Sequence, residues 1–321
     1  MPAKTNISPR SVDDSSTIPP GWSRNPSERR GRFFLAALAL VGFVVAGYLA
    51  LYQLKAFSTV WEPFFGEGSH KLLDSSLSRS LPIPDAALGA AVYLLDAVLL
   101  LVGGDARWRT HPWVVLANGA ISSALCVTGV VLLIVQPIGY DSYCTLCMVS
   151  AFISINLFGP MIEEVLASLQ YLVRRYTYLP SSQSSSQPSA SNPEATRTNQ
   201  RRSESVSFRF LIGAAIGLWL MAAPGVLDYA RASRSVDRVV GPVIFALCIA
   251  SIWPATRWLG RLNIIVGSWL LVSPVVLQAP DRTLVTTMVC GTMLLALAVF
   301  SRPTTAETGG GWSVLMNSEF G

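Results

Sequence analysis

The sequence predicts an all-α, polytopic transmembrane fold: a four-helix bundle followed by a second four-helix module made of two tandem helical hairpins. Three observations carry this. Of 321 residues, 51% are hydrophobic and only 13% are charged, against about 25% charged in an ordinary soluble domain. The charges are clustered between long uncharged runs, the pattern of a chain folded in lipid. A polar stretch rich in Ser, Gln, Pro, Asn and Arg then separates two apolar halves, and the second half repeats itself.

Taken in order, residues 1–31 are rich in Pro, Ser and Arg. They are too polar for a secretory signal and read as a disordered cytoplasmic tail. No charge falls between Arg32 and Lys55, and residues 33–54 are long enough to cross a bilayer, which takes about 20 residues. A second run, residues 86–102, is broken only by Asp96; a third lies between His111 and Asp141, and a fourth between Asp141 and Glu163. Beyond Glu163 and Glu164, residues 165–173 read as an amphipathic helix on the cytoplasmic surface. Residues 180–206 are expected to be a flexible linker. Further runs at residues 210–227, 239–255, 262–278 and 284–301 bring the spans to eight. The units are therefore residues 32–179 and 207–303, with a C-terminal tail at 304–321.

Arg24, Arg29, Arg30 and Arg32 precede the first span and place the N-terminus in the cytoplasm. Counting through, Arg107, Arg109, Arg174, Arg175, Arg257 and Arg261 also fall inside, as does the C-terminus, while Arg231, Arg234 and Arg238 fall outside against the rule. The net charge of +5 lies beside apolar runs rather than on one basic face, so it marks topology and not a nucleic-acid partner. The partner these charges imply is the lipid bilayer.

The repeat has an offset of fifty residues. Gly217, Trp219, Leu220 and Pro224 fall on Gly267, Trp269, Leu270 and Pro274, and Gly241, Ala246, Leu247 and Ser251 fall on Gly291, Ala296, Leu297 and Ser301. Each repeat is one helical hairpin. This half resembles the SPW-repeat membrane proteins; Ser273-Pro274 is present, with Val275 where the signature has Trp. The resemblance implies a membrane module without assigned chemistry.

Chemistry is concentrated at Cys144-Thr145-Leu146-Cys147, which opens the fourth span. Asp141 or Ser142 is placed to cap that helix, with Cys144 in its first turn. Cysteines three apart share a helical face, and the N-terminal helix dipole lowers a thiolate's pKa. By the topology count this end faces outside, where disulfides are used. Half a zinc site is a competing reading, but His70 and His111 are the only histidines and fall on opposite membrane faces. Two inert, buried cysteines are the other alternative. Cys126, Cys248 and Cys290 stand singly inside spans and read as packing residues. Asp96 is either a functional intramembrane carboxyl or a structural partner of a polar residue such as Asn118. The stretch from Trp61 to Gly66 is either a lid or an interfacial aromatic segment.

A four-helix unit with C-x-x-C at the outer end of its fourth helix, preceded by an outer loop with Asp74-Ser75-Ser76 and then Pro82-Ile83-Pro84-Asp85-Ala86-Ala87-Leu88-Gly89, resembles the vitamin K epoxide reductase family. The resemblance spans residues 32–179. It implies a thiol–quinone oxidoreductase in a bacterial inner membrane, with menaquinone or ubiquinone as acceptor and no metal. Cys147 would face the quinone, Cys144 would exchange with a dithiol, and Ser75 or Ser76 would lie near the quinone. The family's loop cysteine pair is absent between Lys55 and Asp85, so an external thiol protein would have to reach Cys144 directly. A non-catalytic membrane scaffold that retains the fold is the alternative, and a transporter is a weaker third.

Overall fold

The computed structural model describes residues 17–20, 22, 24–65, 68–74, 84–176, 193–226, 231–278 and 280–299. Among these, every regular element is a helix: α1 (Arg29–Gln53), α2 (Gly68–Leu73), α3 (Asp85–Leu101), α4 (Arg107–Thr110), α5 (Pro112–Tyr140), α6 (Thr145–Tyr176), α7 (Pro193–Val226), α8 (Arg231–Ala250), α9 (Leu262–Val276) and α10 (Asp281–Val299), with a 3-10 helix at Pro254–Arg261 before α9. A helix stands at each of the eight expected spans, and six are long and apolar enough to cross a membrane. The chain is a multi-pass membrane protein. The other two fall short for visible reasons. α3 has 17 residues, and α8 opens with Arg231, Arg234, Asp237 and Arg238 before its apolar stretch.

In the first unit α1 packs on α3 and α6, and α5 on α6 and α3. Small residues allow the close approaches. A side chain at Gly42 of α1 would lie 2.7 Å from the Tyr93 ring of α3, and the Tyr93 hydroxyl donates to the Ser150 carbonyl on α6 at 2.7 Å. Leu35, Ala39, Tyr93, Val115, Ile153 and Leu157 form the core between these helices.

The expected repeat is present as geometry. α7 pairs with α8 and α9 with α10. In the first hairpin a Cβ on Gly217 or on Gly241 would meet the other's carbonyl oxygen at 2.8 Å; in the second, the Gly267 and Gly291 distances are 3.4 and 3.1 Å. The same two repeat positions face each other across a close backbone approach in each hairpin, which glycine permits between helices in lipid. Residues of α8, including Ile244, Phe245 and Cys248, share one core with Cys126 and Leu133 of α5 and Ala151 and Ile155 of α6. The second unit is therefore docked on the first.

Three expectations are corrected. The tail of residues 1–31 was expected to be disordered, but among its described residues Pro19, Trp22 and Ser27 are buried. Trp22 is buried and donates to Gln170 at 2.8 Å, Trp108 donates to the Thr17 carbonyl at 2.9 Å, and helix α1 begins at Arg29. One Trp among polar residues suffices because Trp108, Leu166 and Ala167 offer it a site. The linker of residues 180–206 is helical from Pro193, where Pro suits the first turn of a helix and no glycine intervenes before Gly213. The separate surface helix at 165–173 is instead the continuation of α6, with Glu163 and Glu164 buried. The C-terminal tail lies outside the described residues.

At the end of the first bundle away from the thiols, the Arg32 guanidinium donates to the carbonyls of Ser27, Leu100, Val102, Gly103 and Gly104. Arg107 donates to Leu99 at 2.8 Å and pairs with Glu164 at 3.1 Å, both side chains being fully or almost fully buried. These two arginines satisfy the C-terminal carbonyls that α3 leaves open.

Candidate functional site

Cys144 and Cys147 lie at the start of α6, about 30 Å along the helix from Glu164 at 1.5 Å per residue. Both are free thiols; Cys144 is buried and Cys147 half-buried. α6 begins at Thr145, so Cys144 immediately precedes it. The Cys147 backbone N–H donates to Cys144 Sγ at 3.2 Å, and the Cys144 N–H donates to Gln136 Oε1 on α5 at 3.3 Å. Hydrogen bonding from the Cys147 side chain, with a smaller share from the Ser69 hydroxyl, holds the Cys144 thiol below the usual thiol range against the upward push of burial.

The expected caps of α6, Asp141 and Ser142, do not serve. Asp141 ends α5 in a left-handed conformation, φ 52°, and its carboxylate pairs with Arg238 of α8. The carboxylate at the start of α6 is Glu62, from the loop between α1 and α3. Glu62 accepts the Thr145 backbone N–H at 3.0 Å and the hydroxyls of Thr145 and Ser69. Burial pushes the Glu62 carboxyl up, but hydrogen bonds from Ser69, Thr145 and Phe64 outweigh it and hold the group below the usual carboxylate range.

α2 brings Ser69 into place. A Cβ at Gly68 would sit 2.1 Å from the Tyr143 carbonyl oxygen, so only glycine allows this backbone to rest on the thiol turn. Ser69 beside it has no exposure. His70 reaches α1, its Nδ1 2.8 Å from the Tyr52 hydroxyl, and Tyr52 donates to Asp74 at 3.1 Å. From the aromatic stretch, Trp61 and Phe64 point outward, 63% and 77% exposed, while the Phe65 ring packs on Tyr143 at 5.3 Å between centroids. Cys147 packs against an apolar wall of Leu49, Val60 and Leu73, with Tyr48, Tyr52 and Ala86 beside it.

Of the residues expected from the sequence, Cys144 and Cys147 come together, while Ser75 and Ser76 lie outside the described residues. Asp96 is fully buried in α3, and its partner is Ser122 at 2.8 Å rather than Asn118, which lies one turn earlier on the same face of α5. Among the described residues no group of three or more His, Cys, Asp or Glu side chains forms a metal cluster. Glu62, Ser69, Gln136 and Tyr143 were not anticipated. The lone carboxylate inside the aromatic stretch was the available signal for Glu62.

Residues 33–161 match the model of the Vitamin K epoxide reductase family, and residues 209–301 match that of the SPW repeat domain. No curated protein and no solved structure matches the chain. The first match covers both thiols, Glu62 and Ser69, and supports a membrane oxidoreductase-like role for that region, in a family linked to quinone redox chemistry. The chain thus joins a domain of the vitamin K epoxide reductase family to an SPW repeat domain.

Proposed function

We propose that the protein is a thiol–quinone oxidoreductase of a bacterial inner membrane, both termini cytoplasmic, in which Cys144 and Cys147 exchange electrons between an external dithiol and menaquinone or ubiquinone. The observation that carries this is the pair at the head of α6, Cys144 buried and Cys147 half-buried, with the Cys147 N–H aimed at Cys144 Sγ, inside the region that matches the family. The apolar and aromatic wall around Cys147 suits a flat apolar ring, and Ser75 or Ser76 would lie near it. A bound quinone supplies an acceptor for two electrons and two protons.

The residues of the chain divide the thiol exchange between them. A partner thiolate attacks Cys144 Sγ of the Cys144–Cys147 disulfide, forming a mixed disulfide and releasing Cys147. The partner's second thiolate then closes the partner disulfide and releases Cys144. A sulfur of lower pKa leaves faster, and the bonds from Cys147 and Ser69 give Cys144 that character. The two electrons now reside on the reduced pair. In the overall balance, one dithiol and one quinone yield one disulfide and one quinol.

The complete burial of Cys144, with no cysteine in the loop above it, favours a second reading, a membrane scaffold that keeps the pair as structure. Thiol trapping of the detergent-purified protein, with and without a soluble quinone, decides between them. The redox reading expects quinone to reoxidise the reduced pair and Cys147→Ser to abolish this. A pair that never forms a disulfide, or that ignores quinone, leaves the scaffold.

A further inference from the structure

The turn from Asp141 to Tyr143 joins α5 to the thiol pair and is held from outside its own bundle. Tyr143, 3% exposed, donates its hydroxyl to the Arg238 carbonyl of α8 at 2.6 Å. The Arg238 guanidinium returns to the same turn, pairing with the Asp141 carboxylate and donating to the Asp141 carbonyl at 3.4 Å. The contact continues down the helices. The Phe152 and Phe245 rings lie 6.3 Å apart, and a side chain at Gly159 of α6 would collide with Trp253, at 2.1 Å. All three bonds to Arg238 fall on Asp141 and Tyr143, within the three residues immediately before Cys144. Burial raises the Tyr143 phenol far above its usual value, so it remains a hydrogen-bond donor throughout the physiological range.

We propose that the repeat domain is the positioning element of the thiol pair: through Arg238 it holds the Asp141–Tyr143 turn and so sets where Cys144 Sγ stands relative to Cys147. This rests on the reading of Cys144 and Cys147 as the redox couple. The turn is held in the form that suits two free thiols, with Cys144 Sγ accepting the Cys147 N–H. Closing a disulfide draws the two sulfurs together to about 2.05 Å, and the second domain, by holding the turn, resists the part of that movement that falls on Cys144. Arg238 and Tyr143 are positioning residues: they bond to each other and to Asp141, and act on Cys144 only through the turn. A module without assigned chemistry thereby acquires a function in that of its neighbour.

The test is a glutathione redox titration of the full chain in detergent, without quinone, read by mass-spectrometric trapping of the Cys144–Cys147 peptide. In it two glutathione thiols give two electrons and two protons to the disulfide and become one glutathione disulfide. Tyr143→Phe, which removes one oxygen atom, and Arg238→Ala should each move the equilibrium about tenfold toward the disulfide, a change readily resolved in such a titration. Arg238→Lys, which keeps a cation for Asp141, should titrate near the wild type. Wild-type-like titration of Tyr143→Phe and Arg238→Ala, or a shift toward the dithiol, overturns the positioning role and leaves the redox reading standing. A wild-type pair that forms no disulfide at any glutathione ratio removes the redox reading and the positioning role with it. If Arg238→Ala fails to fold, the single-atom Tyr143→Phe variant decides alone.

Discussion

At one end of the first bundle, Arg107 and Glu164 face each other with both side chains buried, and Arg32 spends its guanidinium on backbone carbonyls. At the other end, Glu62 gathers Ser69 and Thr145 around the head of α6, with no cation among the partners it shows. The first cluster neutralises charge against charge and ties α1, α3, α4 and α6 together through groups far apart in the chain. In the second, a carboxylate rests on hydroxyls and the positive end of a helix, next to a thiol. A closed ion pair has nothing further to react with. A carboxylate held by weak hydroxyl donors can let go, and what it covers is the thiol turn.

Breaking the closed cluster should have the largest effect. Glu164→Ala leaves the Arg107 guanidinium buried without its counter-charge, a change that costs about 3–5 kcal/mol. A large fall in the thermal midpoint of the detergent-purified protein is expected, with the thiols unchanged in character. Arg107→Met combined with Glu164→Leu should recover part of that loss by removing both charges. Recovery is only partial because Leu99 and its neighbours lose the donor that caps α3. If Glu164→Ala melts like the wild type, the pair is not the tie described above.

Glu62→Ala should be smaller in stability and larger in access. Losing a helix cap costs about 1 kcal/mol, and a local opening made easier by about 1 kcal/mol is populated about fivefold more. Capture of Cys144 by a maleimide should therefore accelerate by roughly that factor, with little change in the global melting point. The expected order is thus reversed between the two ends: Glu164 governs melting, Glu62 governs capture. Equal capture rates in wild type and Glu62→Ala would show that the loop does not cover the thiols through this carboxylate.

The elements that were legible in the sequence are those whose signal is local or periodic. The C-x-x-C at the head of a span needs only four adjacent residues, and the fifty-residue offset of Gly217 and Gly241 with Gly267 and Gly291 already marked the positions where helices cross. What was hidden depends on contacts between distant residues. Glu62 reaches Thr145 across 83 positions, and nothing near Cys144 announces it, so Asp141 and Ser142 looked like the caps. For Asp96 a structural partner was one of two readings, and Asn118 and Ser122 share one face of α5, so periodicity does not fix which turn lies level with it. The N-terminal segment looked disordered because composition counts apolar residues and overlooks a single Trp22 with a site waiting for it. The docking of the two domains left no mark at all, since Arg238 read only as an exception to the charge rule.

The smallest effect is one of pH. The Glu62 carboxyl is held below its usual value of 4.5 in the folded protein, so its ionised form is the one the fold stabilises. That contribution is complete above the ordinary carboxylate range and is lost as pH falls through the lowered value. Lowering the pH from neutral to about 5 should thus leave the cover over the thiols intact, and only more acidic solutions should loosen it. Cys144 reactivity falls with acid for its own reason, as thiolate is protonated, so the comparison is made as a ratio. Divided by the rate of the Glu62→Ala variant at each pH, wild-type capture should rise toward one only in the acidic limb. Glu62→Gln, which keeps an acceptor but cannot ionise, should give a ratio to Glu62→Ala that does not change with pH. A wild-type ratio that is also flat into the acidic limb would mean that the carboxylate's charge contributes nothing to the cover, and that its bonds to Ser69 and Thr145 act by shape alone.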